Sequence, residues 1–186
     1  MIPFPEKQYS VIYADPPWAY NQGGRGAAKN HYHTMTTEEI CAMPVKALQA
    51  GGGTALFMWA TFPTIGAAIR VMEAWGFTYK TAAFVWVKKT RSGGNFWGMG
   101  AYTRANAEIC LLGITEDFKA GEMVQAHNVH QIVEAPFEGH SKKPDEVRRR
   151  IVQLLGDVPR IELFARERAA GWDAWGDEIT EEDTPK

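Results

Sequence analysis

A doubly wound α/β sheet is the fold that the sequence predicts, and three observations predict it. Apolar runs of strand length occur at 10–14, 54–60 and 109–114, and 160–165 reads as a further buried-type strand, as in strands covered on both faces. Ile65, Ala68, Ile69, Met72 and Trp75, and again Val147, Ile151, Leu154 and Leu155, recur at helical spacing. Strand, helix and strand alternate as in a βαβ crossover, and 186 residues suffice for one domain with helices on both faces of its sheet.

The first strand, 10–14, runs into Asp15-Pro16-Pro17-Trp18. Each proline lacks an amide hydrogen and has a fixed φ, and Pro17 disfavours the α region at Pro16, so the turn is stiff and rich in acceptors. The Asp15 carboxylate and the Pro16 carbonyl suit the two hydrogens of an exocyclic amine, while Trp18 or Tyr20 offers a face on which a flat base stacks. Residues 21–30 form a glycine-rich basic loop, read as a flap beside that turn. Thr36 and Glu39 have capping-box spacing and open a short helix that Pro44 breaks or restarts. After the glycine turn at 51–53 comes strand 54–60, then the helix whose stripe ends at Trp75, with Gly76 in the C′ position. Residues 79–87 form the next strand.

From Lys88 to Arg104 the chain mixes four cations (Lys88, Lys89, Arg91, Arg104) and four glycines with aromatic residues. A loop of that length is usually functional, and interleaved charges and rings suit phosphate contact with base stacking, so it is expected to face nucleic acid. Glu108 opens strand 109–114, and 129–133 is a further strand. Pro144 is the expected first residue of the next helix, with Asp145 and Glu146 in its favourable first turn. Lys143 therefore sits at a helix start, where a cation adds little helix stability and a ligand carboxylate is a reasonable partner. Arg148, Arg149 and Arg150 are expected on a solvated face. Strand 160–165 leads into Arg166, Glu167 and Arg168 and a polar segment reaching Asp177 and Glu178. Ligands in open α/β sheets bind beyond the carboxyl ends of strands, so this end and the Asp15 turn are expected to form one pocket. The domain is placed at 1–179, and the acidic tail 180–186 is expected to be disordered.

Composition excludes several classes. Apolar residues make up 45% of the chain, and no apolar run approaches the roughly 18 residues of a membrane span. The start lacks a charged segment followed by a long apolar one, and Cys41 and Cys110 stand far apart in apolar patterns. A reducing cytoplasm is the expected setting. With 20 Lys and Arg against 22 Asp and Glu, attraction to phosphate must be local. No Cys or carboxylate accompanies His31 and His33, or His127 and His130, at zinc spacing, so no metal is expected. Absence of Gly-x-Gly-x-x-Gly disfavours a nicotinamide or flavin enzyme.

The Asp15-Pro16-Pro17-Trp18 strand end is followed in order by His31-Tyr32-His33-Thr34-Met35, Ala55-Leu56-Phe57-Met58-Trp59, Phe84-Val85-Trp86-Val87-Lys88, Ala107-Glu108-Ile109-Cys110, Ser141-Lys142-Lys143-Pro144-Asp145-Glu146 and Arg160-Ile161-Glu162-Leu163-Phe164. This collinear set resembles the amino methyltransferase family that contains the eukaryotic mRNA N6-adenosine methyltransferase and its bacterial and phage relatives. The resemblance implies a Rossmann-like, S-adenosylmethionine-dependent methyltransferase fold with circularly permuted motif order, and methyl transfer to N6 of adenine. DNA is expected over RNA, from likeness to the compact bacterial or phage type. The alternatives are an RNA N6-adenosine methyltransferase or a catalytically silent nucleic-acid-binding subunit. By the same resemblance Asp15, Pro16, Pro17 and Trp18 are catalytic, and Asp15, Lys143, Arg166, Arg168, Asp177 and Glu178 hold the cofactor. Many relatives carry Asn or Gln where Asp177 and Glu178 fall. Tyr32 and Glu108 lie near the acceptor base in relatives, and Lys88, Arg91 and Arg104 join them here as expected substrate contacts. A homodimer or a partner subunit is expected to supply further contacts to a duplex.

Overall fold

The apolar runs assemble into a seven-stranded sheet in the computed structural model, which describes residues 2–19, 34–100, 102–138 and 142–180. Its strands are β1 (Val11–Ala14), β2 (Ala55–Ala60), β3 (Thr78–Lys89), β4 (Ala107–Ile114), β5 (Ile132–Pro136), β6 (Arg160–Leu163) and β7 (Asp173–Trp175), in the spatial order β5-β3-β4-β2-β1-β6-β7. β1 is parallel to β2 on one side and to β6 on the other. β4 runs antiparallel to both its neighbours, β2 and β3. The expected crossover from β2 to β3 is present, but β4 lies between the two strands. It returns from β3 as a long hairpin, and a continuous apolar run reads the same in either direction.

Successive strand residues point to opposite faces, so each strand feeds two cores. Ile12, Ala14, Leu56 and Met58 pack on one face with Ile40, Ala68, Val71 and Met72. Those partners come from helices α1 (Thr37–Cys41) and α2 (Ile65–Ala74). Val11, Tyr13, Phe57 and Trp59 pack on the other face with Val147, Ile151 and Leu155. A four-residue helix, α3 (Ala120–Met123), precedes β5, and Val147, Ile151 and Leu155 belong to α4 (Asp145–Leu155).

The local signals act as their chemistry dictates. Glu39 N–H donates to Thr36 Oγ1 at 3.2 Å and Thr36 N–H to the Glu39 carboxylate at 2.7 Å, closing the capping box of α1. Trp75 caps α2 and its indole N–H donates to the Ile40 carbonyl at 2.8 Å; the chain then turns at Gly76 with φ 84°. Pro144, expected as the first helical residue, is instead the N-cap of α4, and the helix starts one residue later at Asp145. β6 ends at Leu163, short of the expected 165, because Phe164 adopts φ 61° and breaks the extended run. Among the described residues no helix is long and apolar enough to cross a membrane.

Two of the three arginines of α4 depart from the expected solvated face. Arg148 is buried: its Nε and Nη2 donate to the two Glu162 carboxylate oxygens at 2.7 and 3.0 Å, and its Nη1 pairs with Asp145. Glu162 sits on β6, so the bidentate pair ties α4 to the sheet. Arg150 likewise holds Glu146 and the carbonyls of His130 and Ile132, whereas Arg149 stays on the exposed face. Arg148→Met leaves the Glu162 carboxylate buried and uncompensated, and is expected to lower stability by about 3–5 kcal/mol in urea unfolding. Adding Glu162→Leu should recover much of that loss; an unaffected single variant would show the pair to be inert.

Candidate active site

Four strand ends converge at the carboxyl edge of the sheet. Asp15 follows Ala14, which stands in register with Met58 of β2 and Leu163 of β6. Glu108 opens the antiparallel β4 opposite Trp86, so its amino-terminal end lies at the same edge, and Lys88 comes two residues later on β3. Lys143, just before α4, reaches over this edge. Its Nζ donates to Asp15 Oδ2 at 2.7 Å, lies 3.3 Å from Glu108 Oε2, and stands 5.6 Å from the ring centre of Trp59 on β2. Because β2 lies between β1 and β4, this one ammonium bridges the β1 and β4 carboxylates across the strand that separates them. Lys88 Nζ closes the row, 2.5 Å from Glu108 Oε1 and 5.0 and 5.1 Å from the ring centres of Trp86 and Phe137.

The alternation of charge sets the protonation states. Burial pushes the Asp15 carboxyl up from its ordinary value, against the pull of the Lys143 ammonium and with a further push from Glu108. Burial also acts upward on Glu108, but Lys143 and Lys88 together outweigh it and hold its carboxyl below the ordinary value. Lys143 loses hydration, yet the Asp15 and Glu108 carboxylates more than compensate and raise it, so it stays charged. The Lys143 bond occupies Asp15 Oδ2. Oδ1 has no hydrogen-bond partner among the described residues, and the side chain is 25% exposed. One carboxylate oxygen is therefore available to a ligand donor.

The two prolines shape this edge as expected, with a qualification for their carbonyls. The Pro16 carbonyl accepts the Trp18 amide at 2.8 Å and the Pro17 carbonyl accepts the Met35 amide at 2.8 Å. Among the described residues each keeps one lone pair. Trp18 corrects the expected stacking platform: it is 7% exposed, sits in the core with Met58 and Leu163, and donates its indole N–H to the Trp59 carbonyl at 3.1 Å. The ring braces the turn from beneath, because a large apolar side chain one residue past a buried strand gains more from the core than from solvent.

Other expected residues divide. Arg166 stands close enough to Asp15 to favour its charged form, and its Nε is 3.8 Å from Glu178 Oε1. Asp177 and Glu178 are exposed beyond β7. They are held near β6 by Gly176, where a Cβ would come within 2.1 Å of the Ala165 carbonyl oxygen. Arg168 turns away. With Ile2, Tyr9, Ile161 and Asp173 it lines a cavity of about 280 Å³. Ile161 lies roughly 10 Å back along β6 from the level of Asp15, because the β6–β7 connection folds back over the strand. Lys88 is committed to Glu108 and is not an open phosphate contact, whereas Arg91 and Arg104 are exposed. Tyr32, the loop 21–30 and the tail 181–186 lie outside the described residues. Trp59, at the centre of the site, gave no sequence signal beyond its place in an apolar run. Its indole N–H donates to the Tyr13 hydroxyl at 2.6 Å while its carbonyl holds Trp18.

Comparison with known proteins adds the family context. The MT-A70 family model matches residues 9–178. The chain is 36% identical to the Type II methyltransferase M.MunI of a Mycoplasma species, over 94% of this chain and 79% of that protein. It is 28% identical to a probable N(6)-adenosine-methyltransferase MT-A70-like protein of Oryza sativa subsp. japonica, over 92% of this chain and 23% of that protein. Against the N(6)-adenosine-methyltransferase catalytic subunit METTL3 of Homo sapiens the identity is 26%, over 86% of this chain and 26% of that protein. The chain thus spans most of the bacterial relative and about a quarter of the eukaryotic ones.

Proposed function

The chain belongs to the MT-A70 family of methyltransferases, and on that premise we propose that it transfers a methyl group from S-adenosylmethionine to the N6 amine of adenine in DNA. The observation that carries the reading is the Asp15 carboxylate at a strand end, fixed on one oxygen by Lys143 and, among the described residues, uncommitted on the other. DNA is favoured because identity and mutual coverage are greater with the Type II methyltransferase than with the N(6)-adenosine methyltransferases.

The residues at the edge fit the cofactor. Lys88 and Lys143 balance Glu108 and Asp15, so a sulfonium placed beside them meets no net positive charge. The Lys143 ammonium suits a carboxylate, the exposed Asp177 and Glu178 suit ribose hydroxyls, and Gly176 lets their segment pack directly on the Ala165 backbone beyond the end of β6. When bound, S-adenosylmethionine supplies an electrophilic methyl group on sulfur. Asp15 Oδ1 and the free lone pair of the Pro16 carbonyl would accept the two amine hydrogens. That arrangement favours a pyramidal, more nucleophilic nitrogen, because the lone pair is drawn out of conjugation with the ring. The Asp15 charge also stabilises the positive charge that would develop on nitrogen as the methyl–sulfur bond breaks to leave a neutral thioether, after which one amine proton would leave that nitrogen for solvent. Lys143 holds the carboxylate ionised and fixes its orientation, and the proline turn keeps it from moving. Orientation and charge placement thus carry the catalysis.

Acid should separate activity from stability. The Asp15 pKa is raised, so its ionised form costs folding energy and its protonation on lowering pH relieves that cost. The Glu108 pKa is depressed, so its stabilisation is present above the ordinary glutamate value and is lost only as pH falls through the lower folded value. Over the part of the Asp15 titration that lies above the ordinary glutamate value, methyl transfer is expected to fall with a one-proton slope while neither group lowers the melting temperature. Parallel loss of Tm and kcat/KM over that window would contradict the assignment. The function itself is tested by tritiated methyl transfer to matched DNA and RNA pools. Incorporation into DNA is expected, and transfer to RNA alone would move the substrate class.

A further inference from the structure

We propose that the loop between β3 and β4 is a wedge that enters the base stack of duplex DNA beside the target adenine; this rests on the DNA reading above. Of the loop's four cations, the structure commits two internally. Lys88 holds Glu108, and Lys89 holds Glu134 at 2.8 Å and the Asn95 side-chain oxygen at 3.1 Å. Arg91 and Arg104 stay exposed, and neither has an ion pair among the described residues. Between them in sequence Trp97, Met99 and Tyr102 are 58%, 89% and 100% exposed. Three large apolar groups presented together in water mark a surface that something covers.

The base of this loop is built rather than slack. Phe96 N–H donates to the Lys88 carbonyl at 3.1 Å and closes a hairpin over 88–96, while Gly98 N–H donates to the Ala105 carbonyl at 2.7 Å and joins the outgoing chain to the returning one. The Phe96 ring lies 4.7 Å from that of Phe137, which in turn packs against Trp86 in the core at 6.4 Å. An apolar tip with flanking guanidinium groups is thus mounted on an anchored stem that springs from Lys88 and returns at Glu108, beside the Asp15 edge. That pattern is complementary to nucleic acid: arginines meet phosphates, and rings and a thioether insert between bases. A target adenine in a duplex must leave the stack to reach Asp15, and occupying the gap offsets part of the unstacking cost.

The test uses the full chain carrying Trp97→Ser, Met99→Ser and Tyr102→Ser together, with a randomised single-stranded DNA pool and the same pool made double-stranded by primer extension. Methyl transfer to the duplex is expected to fall about thirtyfold while transfer to single strands stays within about threefold of wild type. Cofactor affinity and sedimentation mass should be unchanged. Equal losses on both pools, or no loss on the duplex, would overturn the wedge. A reduced mass would overturn it in favour of a contact between copies of the chain. Wild-type protein that methylates neither pool would overturn the DNA reading and the wedge with it, so the two failures are distinguishable.

Discussion

Asp15→Ala is expected to slow methyl transfer by at least about two orders of magnitude while the protein remains folded. The carboxylate contributes both an acceptor for the amine and a negative charge beside the nitrogen that becomes positive, and alanine removes both. The fold should tolerate the change. Lys143 keeps Glu108 at 3.3 Å, so the buried ammonium is not orphaned, and burial already disfavours the Asp15 charge. Asp15→Asn refines the test by retaining an oxygen acceptor and removing the charge, and its rate should lie between the two. Single-turnover kinetics at saturating cofactor, with melting temperature as the folding control, decides the matter. Near-wild-type turnover of Asp15→Ala would remove Asp15 from the chemistry.

Lys143→Met is expected to weaken S-adenosylmethionine binding by about tenfold to a hundredfold, the effect of losing one charge-assisted hydrogen bond in a buried site. It should also raise the Asp15 pKa further, since the ammonium 2.7 Å away is the main influence opposing burial there. Glu108 keeps Lys88 and is disturbed less. Two consequences separate in an assay: higher pH should restore part of the rate by ionising Asp15, but it should not restore cofactor affinity. Binding to DNA should change less than binding to cofactor. Calorimetry that finds unchanged cofactor affinity would exclude Lys143 from the cofactor site.

Much of the scaffold was legible because burial on both faces writes continuous apolar runs, and 10–14 and 54–60 became β1 and β2 with their ends shifted by one residue. The direction of β4 was not legible, since its run carries no sign of which way it is crossed. β7 was missed because Asp173-Ala174-Trp175 is too short to show a period. At the site, the proline turn announced Asp15, and the helix start announced a cation needing a carboxylate at 143. What sequence could not tell is that the carboxylates are the protein's own, supplied by residues far away in the chain at 15 and 108. Lys88 and Arg148 look like open charges in the sequence for the same reason. Their partners, Glu108 and Glu162, lie on other strands, and pairing across a sheet leaves no local pattern. Trp18 followed the hydrophobic effect into the core where its neighbourhood in sequence suggested a platform.

The central claim is that the Asp15 turn receives an exocyclic amine, that of adenine. It is tested most directly by transferring a tritiated methyl group from S-adenosylmethionine to DNA with the wild-type chain, digesting the product to nucleosides and locating the label. The account predicts that the label co-migrates with N6-methyldeoxyadenosine and is absent when Asp15→Ala replaces the wild type. Label in a methylated cytosine, or label in N6-methyldeoxyadenosine undiminished by Asp15→Ala, would contradict it.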